Sequence, residues 1–135
     1  MATITAIRQG LQVRLDTISG VHAYAYESDH PVAPAIMVST YTADYDLALG
    51  GGTTYDFNLY VVLSGNVDRS YQEQIDSYLS PSGSASIAVA VDADPTLGGV
   101  VDFAAVRQVD SSLVQMDFAG VSYAAATCSV EVIDS

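Results

Sequence analysis

The chain's two histidines are His22 and His30, and the stretch Glu27-Ser28-Asp29-His30 sets one of them beside two carboxylates. An imidazole next to a carboxylate can act as a general base or as a metal ligand. A zinc site needs three or four converging ligands, and two histidines with no cysteine cluster supply too few. The Glu27 to His30 stretch therefore reads as a solvated loop. Asp92-Ala93-Asp94 and Asp44-Tyr45-Asp46 are Asp-x-Asp pairs of the kind that can ligate a hard cation such as calcium. Neither continues into an EF-hand loop, because glycine is missing at the sixth position and glutamate at the twelfth. Asp94 stands before Pro95, so a turn or cap role is expected for that pair.

Nucleophiles and phosphate cradles fare no better. No serine sits in a Gly-x-Ser-x-Gly elbow. The single cysteine, Cys128, rules out an internal disulfide and any cysteine-clustered zinc site. It alternates with Thr127 and Ser129 on the same side as Ala126, Val130 and Val132, which predicts a buried, inert thiol on the apolar face of a strand. The chain has no lysine, so a Gly-x-x-x-x-Gly-Lys loop is impossible. Gly50-Gly51-Gly52 lacks the spacing and the strand-to-helix setting of a dinucleotide loop. No catalytic, cofactor or metal site is expected, and the chain reads as a non-enzyme. A small-molecule binder or hydrolase would need a pocket of converging polar groups that the sequence does not announce.

Charge narrows the classes further. Sixteen acids face only Arg8, Arg14, Arg69 and Arg107, for a net charge of −12. Gripping nucleic acid through its phosphates requires clustered lysine and arginine, so that mode is excluded. The acidity serves either solubility or a surface that stays near DNA without holding it. Half of the 135 residues are hydrophobic, enough for one packed domain over residues 1–135. No apolar run approaches the roughly 18 residues of a membrane span, and the opening lacks a signal-peptide pattern. A soluble protein made in the cytoplasm is expected. Nine tyrosines against three phenylalanines serve either to edge a sheet or to make an interface, and composition leaves both open.

The elements that would position these residues follow from periodicity. Ile4, Ile7, Leu11, Leu15 and Ile18 form a helix stripe, capped by Thr3 or Thr5 and ended at Ser19-Gly20. Gly10 weakens its middle by up to about 1 kcal/mol, so packing must compensate. Val21 to Tyr26 and Ile36 to Thr42 read as strands, with a proline loop between them. Tyr55, Phe57, Leu59, Val61 and Leu63 alternate with Asp56, Asn58 and Tyr60, the strongest strand pattern in the chain. Ala43 to Thr54 is expected as a mobile loop, with Asp44, Tyr45, Asp46, Leu47 and Leu49 as candidate partner contacts. A second helix begins near Asp68 or Ser70, where Ser70-Tyr71-Gln72-Glu73 matches a capping box, and Pro81-Ser82-Gly83 stops it. In Ser84 to Asp94 the alternation slightly favours a strand, although Ser86 could cap a short helix. Val101 to Val109, Leu113 to Phe118 and Tyr123 to Ile133 read as strands. This order predicts an α+β fold, an antiparallel or mixed sheet with helices packed on one face.

Ala90-Val91-Asp92-Ala93-Asp94-Pro95-Thr96-Leu97-Gly98-Gly99-Val100-Val101 resembles a late motif of siphophage tail terminator proteins. The opening is similar too: a first helix ending Ile18-Ser19-Gly20-Val21, a short tyrosine-bearing strand and a proline loop. So is the close, Ser129-Val130-Glu131-Val132-Ile133. The resemblance spans nearly the whole chain in order and length, but the Asp44 to Thr54 loop matches no family motif.

The resemblance implies a structural virion protein that assembles as a hexameric ring, stops polymerisation of the tail tube and docks on the head connector. Its partners would be further copies of itself, the tail tube protein and a head-completion protein. DNA would pass through the lumen without specific binding, and no membrane or cofactor would be involved. The place implied is the tail neck of the virion, with assembly in the host cytoplasm. The resemblance also implies a short helix over Ser84 to Val91, which we adopt over the local strand signal. Asp92, Asp94, Asp102, Asp110 and Asp117 become candidate lumen acids, and Leu97, Gly98 and Gly99 a structural turn whose glycines reach backbone angles closed to other residues. The alternative is another neck or tail component, either a head-completion protein or a tube subunit.

Overall fold

The computed structural model describes residues 3–18, 20–26, 34–45, 52–63, 69–118 and 120–134. In chain order these form α1 (Ile4–Leu15), β1 (His22–Tyr24), β2 (Ala35–Tyr45), β3 (Thr53–Leu63), α2 (Arg69–Leu79), α3 (Ile87–Asp92), β4 (Phe103–Phe118) and β5 (Val121–Asp134). The strands make one mixed sheet in the order β1-β2-β3-β5-β4, with three helices packed against it. β1 runs parallel to β2, and every other neighbouring pair is antiparallel.

α1 begins where Thr3 accepts a hydrogen bond from the Ala6 amide at 3.1 Å, which satisfies one of the orphan donors of a helix start. Its stripe buries Ile7, Leu11 and Leu15. Regular helix stops at Leu15, yet Ile18 is also buried, because tighter bonds from Thr17 and Ile18 back to Arg14 and Leu15 prolong the last turn. Gly20, at φ 80°, then turns the chain toward β1.

The strongest sequence pattern holds: Tyr55, Phe57, Leu59, Val61 and Leu63 all point into the helix-side core, joined there by Ile36, Val38, Cys128, Val130 and Val132. A smaller cluster of Ala35, Met37, Val62 and Ala125, edged by Tyr24, Tyr60 and Tyr123, lies apart from that core. Alternation along the strands puts it on the opposite face of the sheet.

Several boundaries differ from expectation. α2 already includes Arg69, so Ser70 lies inside the helix and does not cap it. The first strand shrinks to His22–Tyr24. Asp44 and Tyr45 belong to β2, not to a loop, since the ladder continues through Asp44↔Thr54 and Tyr45↔Thr53; cross-strand pairing there outweighs the loop-like composition. Asp46, Leu47 and Leu49 lie outside the described residues. Finally, Val101 to Val109 and Leu113 to Phe118 merge into the single strand β4, and Asp110-Ser111-Ser112 is a ladder irregularity, not a break.

Within Ser84 to Asp94 the chain forms the short helix α3, Ile87–Asp92. Ser86 caps it, accepting from the Val89 amide at 3.2 Å and donating to the Ser80 carbonyl. Helical spacing buries Ile87, Ala90 and Val91 together and leaves Val89 exposed. The alternation of small and branched residues slightly favoured a strand, and the Ser86 cap with burial of one helical face outweighs it.

Candidate partner-contact surface

Arg8 sits one position past the buried Ile7 and reaches over the edge of the sheet. Its Nη1 donates to the carbonyls of Ala25 and Val38, each at 3.0 Å, and its Nη2 to that of Ser39 at 2.8 Å. One helical turn on, Gln12 donates to the Ala23 carbonyl at 3.1 Å. Ala23 and Ala25 lie two residues apart, so their carbonyls leave the chain on one side, and α1 covers that edge with two side chains. Val38 and Ser39 lie where β2 slips register against β3 between Val38 and Tyr41. Arg8 thus satisfies carbonyls at an irregular stretch of ladder.

Aromatic rings enclose the guanidinium. Its carbon lies 4.7 Å from the ring centre of Tyr26, 5.6 Å from Tyr41 and 5.9 Å from Phe57, within cation–π range. Tyr41 is tilted against Phe57 at 5.3 Å. Arg8, Tyr26, Val38, Ser39, Thr40 and Tyr41 line a shallow hollow of about 450 Å³. Tyr26, Tyr41 and Tyr45 are 52%, 38% and 60% exposed. A large ring left half in water beside an arginine has the composition of a protein-contact surface. Sequence reasoning noted the tyrosines and missed Arg8, because the bulge that gives it its carbonyl partners leaves no mark in the residue pattern.

The outer face of the sheet is polar toward the far ends of β2 and β3. Register places Thr42 opposite Asp56 and Asp44 opposite Thr54, and Asp56 in turn faces Glu131 of β5. Two carboxylates directly opposite each other repel. Arg107 offsets part of this through an ion pair with Glu131 at 2.9 Å. Asn58 donates to Thr40 across the same face at 3.0 Å.

The five acids singled out from the sequence are not gathered into one patch. Asp92 is exposed at the end of α3. Asp94 is occupied by its own turn: it accepts from the Thr96 hydroxyl at 2.8 Å and the Gly98 amide at 3.0 Å. The Thr96 hydroxyl, seconded by backbone amides, holds its carboxyl below the usual carboxylate range. Asp102 is exposed just before β4, and Asp110 and Asp117 are exposed along it; β4 is an edge strand. Asp102 and Asp117 would stand about 50 Å apart at full extension, a distance that bulges shorten. Asp110 accepts from the Ser112 amide at 2.8 Å, and that bond lowers its carboxyl's affinity for a proton.

The Asp94 turn has a structural role. Leu97 is buried although its φ is 52°, and Gly98 and Gly99 follow at 76° and 89°. Thr96 both donates to Asp94 and accepts from the Gly99 amide at 3.2 Å, closing the turn internally.

The arginines with described side chains are all engaged: Arg8 with carbonyls, Arg107 with Glu131, and Arg14 through its Nε with the Ala90 carbonyl of α3 at 3.0 Å. Among the described residues no three of His, Cys, Asp and Glu converge as metal ligands would. His22 is exposed on β1, and Glu27 to His30 lie outside the described residues. No described helix is long and apolar enough to cross a membrane. Compared with known protein families and with curated proteins, the chain matches none.

Proposed function

We propose that this chain is a tail terminator subunit: a structural protein that closes a phage tail tube as a ring and presents the surface on which the head connector docks. The observation that carries the reading is α3 with the turn that follows it. The resemblance implied a helix over Ser84 to Val91 leading into Thr96-Leu97-Gly98-Gly99, against the strand signal of the residues themselves. The chain has a helix at Ile87–Asp92, and that turn is closed by its own side chains.

The charge distribution supports the same reading. Asp44, Asp56, Asp110 and Glu131, which alternation places together on the outer sheet face, would make a wall that repels phosphate. DNA would slide past such a wall without being held. Asp56 opposite Glu131 costs stability, and a role at a DNA-facing wall gives a reason to keep it.

Two experiments test the proposal together. The mass of the purified chain in solution is expected at six times that of one chain, with rings in negative stain. Tails assembled without it are expected to be overlong. Long tubes formed by the purified chain would point to a tube subunit, and tails of normal length without it would overturn the terminator reading.

A further inference from the structure

The ring reading needs two different surfaces on one subunit that fit each other, since a closed ring of identical chains uses heterologous contacts. One is the Arg8 hollow, on the side of the fold where α1 rests on β1 and β2. The other lies where α3 rests on β4, the opposite edge strand. There Pro81, Ala88, Val89, Asp92, Ala105 and Val106 line a hollow of about 210 Å³. Five of the six are apolar, Val89 is 41% exposed, and Asp92 is its one carboxylate.

We propose that the two hollows are the two halves of one contact between copies of this chain. The exposed tyrosines beside Arg8, led by Tyr26, enter the α3–β4 hollow of the next copy, and Asp92 of that copy comes to the Arg8 guanidinium. The proposal rests on the ring reading for its partner, but its chemistry is local.

Charge selects the occupant. Among the described residues Arg8 has no carboxylate in ion-pair range, and three of its five N–H groups donate to carbonyls. With sixteen acids on each chain, a second copy is a ready source of carboxylate. Among the described acids, Asp92 is exposed and set in a small apolar hollow able to receive a ring. An aromatic anchor in a pocket, beside a charge pair shielded from water, is the arrangement that dominates protein interfaces. Because the two surfaces lie on opposite edges of the sheet, their contact propagates head to tail and does not pair two copies face to face. Asp92 would then belong to the joint between subunits and not to the lumen wall.

The test is the self-association of the full chain, followed by sedimentation over a concentration series. The variants are Asp92→Arg, Val89→Glu, Tyr26→Ser and the conservative Asp92→Glu, all at exposed positions. Each variant's thermal unfolding is compared with that of the parent to verify folding. Asp92→Arg and Val89→Glu are expected to raise the dissociation concentration by at least about tenfold, Tyr26→Ser to raise it less, and Asp92→Glu to keep most of the association. Rings that form equally well in Asp92→Arg and Val89→Glu overturn this contact and leave the ring reading standing. Open filaments that these variants weaken uphold the contact and sink the terminator reading. A parent chain that stays single at every concentration overturns both.

Discussion

A side chain on Gly10 would collide with Leu97: a Cβ built there lies 2.9 Å from the Leu97 Cβ and 3.3 Å from its carbonyl oxygen. The middle of α1 is bare because the turn after α3 sits directly on it. Leu97 accepts a left-handed backbone, which costs roughly 1–2 kcal/mol for a residue with a Cβ, and regains it by burial. Gly10→Ala should therefore destabilise the fold by about 1–2 kcal/mol, even though alanine favours the helix by up to about 1 kcal/mol, because overpacking against the turn costs more. Urea denaturation checks this. A rise in the midpoint would mean that the turn yields easily.

Removing the Arg8 guanidinium strands three carbonyls at the sheet edge. Arg8→Met should cost about 2–3 kcal/mol by thermal or chemical unfolding, the scale of losing charged hydrogen bonds to partly buried acceptors. Arg8→Lys should recover less than half of that, since one ammonium cannot reproduce the fork that meets Ala25, Val38 and Ser39 together.

Asp56→Thr removes one of two facing carboxylates on the outer sheet face and puts a good strand former in its place. The variant should gain roughly 0.2–1 kcal/mol, more at low salt than at high salt. A loss of stability would show that the Arg107–Glu131 pair already absorbs the repulsion.

The carboxyls of Asp94 and Asp110 titrate below their ordinary value of 3.8, for Asp94 chiefly through the Thr96 hydroxyl and for Asp110 chiefly through the Ser112 amide. A lowered folded value means that their contribution is fully present above the unfolded value and is lost as pH falls through the folded one. Stability should therefore decline as pH drops below 3.8. Asp94→Asn should flatten that decline, as measured by melting temperature against pH.

Burial pushes the Cys128 thiol up to about 12. A thiol reagent at neutral pH should leave the folded chain unmodified and label it fully in denaturant. Rapid labelling of native protein would place Cys128 outside the core.

The elements that the sequence announced clearly are those in which a single face is buried. The α1 stripe and the Tyr55 to Leu63 alternation are each set by one partner surface, so their periodicity is clean. Residues 84–94 are harder, because the alternation of Ile87, Val89 and Val91 slightly favours a strand and the Ser86 cap with burial of one helical face outweighs it. Asp44 and Tyr45 look like loop residues, and their strand state comes from pairing with Thr53 and Thr54, remote information that no local window holds. The candidate contact surface was half legible: tyrosine enrichment left an interface open beside a sheet-edge role, but the hydrogen bonding of Arg8 depends on a register slip in another element.

β5 lies between β3 and β4 although it follows both in the chain. The edge of β3 that β5 will occupy is bare until those residues emerge from the ribosome, and pairing Thr53 with Asp134 closes a very long loop. Contacts so distant along the chain slow folding and leave an open strand available to other nascent copies in the meantime. Cells that overproduce the subunit should gain soluble chain when synthesis is slowed.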